Sequence, residues 1–193
     1  MPGGASDQGG MNRTSRSYAS AAGAGVVAFA LAYVLVYALT ISAVQDSLLT
    51  GIGDAPPWKV VGWVFFNAQF VTTTLTVDLP LVGGTDAVNF ITESDALSAV
   101  LYLIPPALLT AAGLAVARLD GATETARALR LGPGVALGYL PLSVLGALLF
   151  AVSFGSDSGG SPTLLTAVVL AGIVYPAVFG TLGSVIGTTL ADS

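Results

Sequence analysis

Four stretches without a single acid or base constrain this chain more than any other feature: Ala21–Val44, Ala96–Ala117, Gly134–Phe154 and Thr163–Leu190. A helix needs about 20 apolar residues to cross the ~30 Å hydrocarbon core of a bilayer, and each run reaches that length. The other home for such runs is the interior of a soluble globule. Composition argues against it: of 193 residues 54% are hydrophobic and only 9% charged, whereas a soluble domain carries about 25% charged residues. A chain this short leaves much surface to cover, and lipid is the solvent that suits an apolar one. The expected fold is all-α, a polytopic membrane protein with a bundle of four transmembrane helices in a single membrane domain over 18–193. The spans are placed at about 21–44, 96–117, 134–154 and 163–190. Residues 1–17 are rich in Gly, Ser, Asn and Asp and read as a disordered cytoplasmic tail.

The basic residues orient the bundle. Arg13 and Arg16 precede the first span, and Arg118, Arg127 and Arg130 lie between the second and third. Only Lys59 falls on the other side, so five of the 6 bases share one face. The positive-inside rule makes that face cytoplasmic. Both termini are then expected inside a cell (plasma) membrane, with 45–95 and 155–162 outside.

The outer loop 45–95 is long for a bundle connection, which usually takes about 2–8 residues. It holds both tryptophans of the chain, Trp58 and Trp63, together with Phe65, Phe66 and Phe70. This apolar, aromatic segment over 58–71 is too short to span. It reads as an outer interfacial helix, as a re-entrant helix, or as a strand rich in Val and aromatics. On the helical reading Val60, Trp63, Val64 and Val71 face acyl chains or the bundle. Asn67 shares that stripe and needs a hydrogen-bond partner, while Lys59 and Gln69 seek water. Val71–Asp78 and Ala87–Thr92, flanking Gly83-Gly84-Thr85, suit a short outer hairpin. Thr92 with Asp95 resembles a capping box opening the second span. Gly132-Pro133-Gly134 reads as a break before the third span, and Gly155–Pro162 as a short flexible turn.

Within the spans, Pro105, Pro106, Pro141 and Pro176 predict kinks that neighbouring helices absorb. Gly134 with Gly138, and Gly183 with Gly187, fit the small-xxx-small spacing that lets backbones approach closely in lipid, and Gly180 extends the second set. Their partner is either a neighbouring helix of the same chain or a second copy.

Several chemistries are excluded. The chain has no Cys and no His, which removes thiol nucleophiles, imidazole bases and the commonest zinc ligands. No charged residue lies within any predicted span, whereas proton relays and voltage sensors need them. Acids outnumber bases 11 to 6, an unfavourable balance for nucleic acid. The outer carboxylates Asp46, Asp54, Asp78, Asp86, Glu93, Asp95 and Asp157 are scattered without metal-loop spacing and read as solvation. No catalytic residue, metal site or cofactor is expected, and the chain is not expected to be an enzyme. The expected partners are the lipid bilayer and either a homodimer mate or another membrane protein.

The segment Trp63-Val64-Phe65-Phe66-Asn67-Ala68-Gln69-Phe70-Val71, followed by Tyr102-Leu103-Ile104-Pro105-Pro106, resembles a family of small haloarchaeal multi-pass membrane proteins. The acidic, lysine-poor composition is similar to that of proteins from salt-loving archaea, and a bacterium of high GC content is the other source weighed. The resemblance implies a membrane bundle over about 20–190 and carries no activity with it. The functional expectation is a non-enzymatic structural or accessory subunit of a membrane assembly. A small permease for a neutral or hydrophobic solute is the alternative.

Overall fold

The computed structural model describes residues 5–48, 55–77, 83–153 and 158–190. Among the described residues, four helical runs are long and apolar enough to cross a membrane: Thr14–Asp46, Ala99–Asp120, Thr125–Leu149 and Leu164–Thr189. The first belongs to helix α1 (Ala5–Ala43), extended by a π-helical turn, Val44–Leu48. The helix therefore begins at Ala5, inside the segment expected to be a tail. Once an apolar span has nucleated a helix, adding residues at its end costs little, and 5–17 contain no proline to stop it.

The chain then forms α2 (Pro57–Asn67), strands β1 (Thr73–Val77) and β2 (Gly84–Val88), and the single turn α3 (Phe90–Glu93). The second run is a 3-10 stretch, Ala99–Leu103, leading into α4 (Ile104–Asp120). The third joins α5 (Thr125–Leu131), a 3-10 turn Gly132–Val135 and α6 (Ala136–Leu149). Strands β3 (Val152–Ser153) and β4 (Gly159–Pro162) follow. The fourth run is α7 (Leu164–Thr166), a π-helical stretch Ala167–Val174, and α8 (Tyr175–Thr189).

Four strands form one antiparallel sheet in the order β2-β1-β4-β3. An all-α fold is thus corrected to a mostly helical one with a small sheet at one end. The hairpin is present with its second strand shifted to Gly84–Val88, and Leu75 stands opposite Asp86 on one side and Gly160 on the other. The turn expected over 155–162 is instead strand β4 from Gly159 onward. Its Gly-Gly-Ser-Pro sequence has no strand propensity of its own, so tertiary packing selects it. A Cβ on Gly160 would stand 2.7 Å from the Trp63 ring and 2.8 Å from Leu75. Only glycine lets the strand pass between them.

Local caps also move. The second run is capped by Ser98, not Thr92, and Asn89 caps the short α3 before it. Asn89 accepts from the Ile91 N–H (3.1 Å) while its own N–H donates to Glu93 (3.2 Å), closing α3 into a box. Ser98 then caps the 3-10 stretch by accepting from Val100 N–H at 3.3 Å. The break expected at Gly132-Pro133-Gly134 is a 3-10 joint that keeps the third run helical, because Pro133 sits in the first turn, where its missing N–H is not needed.

Candidate functional site

Two polar sites interrupt an otherwise apolar bundle. The first is built on α2. Its residues Val60–Asn67 are all buried, so this helix is sunk into the protein. Successive turns touch points from just beyond the third run back into it: the Lys59 ammonium donates to Ala151 O (2.8 Å) and the Trp63 indole N–H to Phe150 O (2.7 Å). Gly62 seats against the Phe150 ring, and Phe66 lies beside Gly146. At the far end, the Tyr139 hydroxyl donates to Gln69 Oε1 at 2.9 Å. Tyr139 lies ten residues inside Leu149, about 15 Å along the helix.

Of the aromatic segment, Trp63, Phe65 and Phe66 are fully buried, while Trp58 and Phe70 are exposed. The three buried rings pack on protein, and Pro57–Asn67 is helix, not strand. Phe65 meets Phe29 edge-on at 5.0 Å, Phe29 meets Tyr139 at 5.0 Å, and Trp63 stacks on Phe90 at 6.0 Å. Gln69, expected in water, is fully buried, and its amide donates to Phe65 O at 3.3 Å. The partner that Asn67 requires is there: its amide N–H donates to Val71 O (2.8 Å) and its carbonyl accepts from Phe90 N–H (2.9 Å). The two amide side chains thus satisfy the backbone of a turn that leaves helical geometry inside the protein, as buried irregular backbone requires.

That turn ends on Phe70, at φ 57°. Val71 N–H bonds Phe66 O and Phe70 N–H bonds Asn67 O, the pattern of a Schellman cap, which normally places glycine at the left-handed position. A phenylalanine there is strained, and its ring stacks on Tyr102 at 4.7 Å. The Tyr102 hydroxyl is buried with no hydrogen-bond partner among the described residues.

The second site lies at the opposite end, where the arginines gather. The Asp120 carboxylate, 6% exposed, receives Arg127 Nε–H and the Ser17 hydroxyl. One acid at the end of α4 therefore ties the first run to α5. Beside it a cleft of about 500 Å³ is lined by Thr14, Tyr18, Glu124, Arg127, Arg130 and Leu131. Sequence reasoning missed this site because its parts are far apart in the chain; the one signal was the pile-up of arginines at a single end.

The predicted packing glycines meet backbone or small groups. A Cβ on Gly138 would overlap Ala22 O, and one on Gly183 would overlap Thr110 O. On Gly180 it would stand 2.6 Å from Gly132 O, on Gly187 2.9 Å from the Ala117 Cβ, and on Gly134 3.0 Å from the Ala21 Cβ. Ser184 adds a hydroxyl bond to Gly113 O at 3.0 Å. The glycine face of the fourth run is thus turned toward the second and third runs of the same chain. Pro105 and Pro106 occupy the first turn of α4 after its 3-10 stretch, Pro176 the first turn of α8 after the π-helical stretch, and Pro141 the interior of α6. Asp54, Asp78 and Asp157 lie outside the described residues. Among the described residues no three Asp, Glu, Cys or His side chains converge as a metal-ligand set.

No curated protein and no solved structure matches this sequence. The pattern of one family, described as a family of unknown function (DUF7978), matches residues 3–191, nearly the whole length, and the chain belongs to that family.

Proposed function

We propose that this protein is an integral component of the cell membrane, of haloarchaeal type, with both termini cytoplasmic and the sheet outside, and that it serves as a non-enzymatic structural or accessory subunit of a membrane assembly. One observation carries the membrane reading. Large apolar side chains cover the outward surface of all four runs, among them Val34 (57% exposed), Leu103 (65%), Leu145 (60%) and Leu165 (75%). Meanwhile glycines and small residues make the contacts between helices. Water would expel such a surface, and lipid favours such interfaces. The structural role is supported by the polar groups around α2, where Trp63, Asn67, Gln69 and Tyr139 all bond protein atoms and so hold the sunken helix in place.

A specific feature favours the second reading, a small permease for a neutral or hydrophobic solute. Helix α2 re-enters the bundle, and the fourth run carries a π-helical stretch directly before Pro176. Non-helical backbone at membrane depth often borders a pathway. Purification in mild detergent separates the two. A subunit travels with a defined partner protein, whereas a permease stands alone and moves neutral solutes across liposomes. Recovery as a lone particle with solute flux that Gln69→Leu abolishes would replace the first reading by the second.

A further inference from the structure

The cleft at the arginine end has the chemistry of a headgroup site. Its two cationic walls come from α5, where Arg127 and Arg130 sit three residues apart and therefore share one side of the helix. Arg127 is held in a fixed pose. Its Nε–H is engaged by the Asp120 carboxylate while its side chain remains 52% exposed, so the guanidinium is held at one edge and still reaches solvent. A planar fork fixed at one edge is preorganised for the oxygens of a phosphate at the other. Among the described residues Arg130 makes no ion pair. Tyr18 places a ring, 41% exposed, on the facing wall.

The remaining lining decides between phosphates. Glu124 stands on the cleft wall and repels a second negative charge. A phosphodiester, with one charge, suits the site better than free phosphate with nearly two. Ala126 and Leu131 add apolar surface to the lining, and the same end of the bundle carries the exposed side chains of Leu119 (79%) and Leu129 (53%). These side chains lie where acyl chains would begin if the four runs cross a bilayer. We propose that this cleft binds the phosphodiester headgroup of an anionic phospholipid from the arginine-side leaflet, with Arg127 and Arg130 on the phosphate oxygens and the ligand clasping α5 to the first run. The inference rests on the membrane reading above.

The test uses the full chain in detergent micelles, with native mass spectrometry as readout and a short-chain phosphatidylglycerol, a short-chain diacylglycerol and inorganic phosphate as probes. One phosphatidylglycerol is expected to stay bound per chain, with no retention of diacylglycerol and much weaker binding of inorganic phosphate. Arg130→Gln is expected to weaken the lipid about tenfold, the order of a lost charge-assisted hydrogen bond, and Arg118→Gln, outside the cleft, to leave it unchanged. Arg130→Gln carries the test because Arg127→Gln also unties Asp120. Equal retention by wild type and Arg130→Gln overturns the proposal, as does equal loss on Arg118→Gln, which would mean diffuse surface charge. Binding of inorganic phosphate as tight as the lipid overturns the lipid assignment. Failure of the membrane reading is recognised separately, by wild-type protein that stays soluble without detergent.

Discussion

Removing the Tyr139 hydroxyl tests how the sunken helix is anchored. In Tyr139→Phe the Gln69 carbonyl, fully buried, loses the donor at 2.9 Å. The net value of a hydrogen bond is about 1 kcal/mol, and leaving a buried acceptor unpaired costs about 1–3 kcal/mol. Side-chain bonds between membrane helices average nearer 0.6 kcal/mol, because the separated helices find other partners in lipid. Gln69 differs from that case. It follows a segment too short to span, whose undocked state has water available, and its amide also holds Phe65 O at 3.3 Å. The expected loss for Tyr139→Phe is therefore about 2 kcal/mol. Gln69→Leu leaves the Tyr139 hydroxyl orphaned and is expected to cost a similar amount. The double variant pairs two apolar groups and removes both orphans, so its loss falls short of the sum by about 1 kcal/mol. Denaturation in mixed detergent micelles, followed by tryptophan fluorescence in a Trp58→Phe background so that the buried Trp63 is the sole reporter, measures all three. Additive losses, or a silent Tyr139→Phe, would refute the claim that this pair locks α2 into the bundle.

Gly138→Val and Gly183→Val push a side chain into Ala22 O and Thr110 O; each is expected to lose at least about 3 kcal/mol in the same unfolding assay. Gly23→Ala, where a Cβ meets nothing within 4 Å, is the matched control and is expected to gain up to ~1 kcal/mol from helix propensity. At Phe70, with φ 57°, glycine relieves the left-handed strain and alanine does not. Phe70→Gly is therefore expected to be more stable than Phe70→Ala by about 1 kcal/mol, and the reverse order would remove the strain argument. For orientation, Thr85→Cys on exposed β2 and Thr123→Cys between α4 and α5 provide unique thiols in a cysteine-free chain. An impermeant label applied to intact cells is expected to modify the first and spare the second.

The four helical runs were legible because uncharged length alone specifies them, whatever packs beside them. Their ends were less so. Helix continues past the apolar boundary at Arg16, Arg118 and Arg127, since charged residues make good helix once a span has nucleated it. Strand β4 could not be read from Gly-Gly-Ser-Pro: its pairing depends on Trp63 and Leu75 crowding Gly160 from both sides. The aromatic segment announced itself by composition, yet composition cannot tell rings facing lipid from rings facing Phe29 and Phe150, because both surroundings are apolar. Gln69 was misplaced for the opposite reason. A polar amide next to an apolar run reads as solvent-facing, whereas its burial is satisfied by Phe65 O within the helix and by Tyr139, 70 residues away. The glycine spacings were visible as close-approach sites, while the identity of each partner helix required the tertiary structure. Asp120, Ser17 and Arg127 carry no common motif, and their meeting follows from where the end of α4 and the start of α5 pack beside α1.

Whether these helices cross a bilayer is decided most directly by where the polypeptide partitions. Cells are broken without detergent, and the membranes are washed at alkaline pH and high salt. The account predicts that the protein stays wholly with the sedimented membranes and is released, folded, only by detergent. A folded, monodisperse protein in the first aqueous supernatant would contradict it.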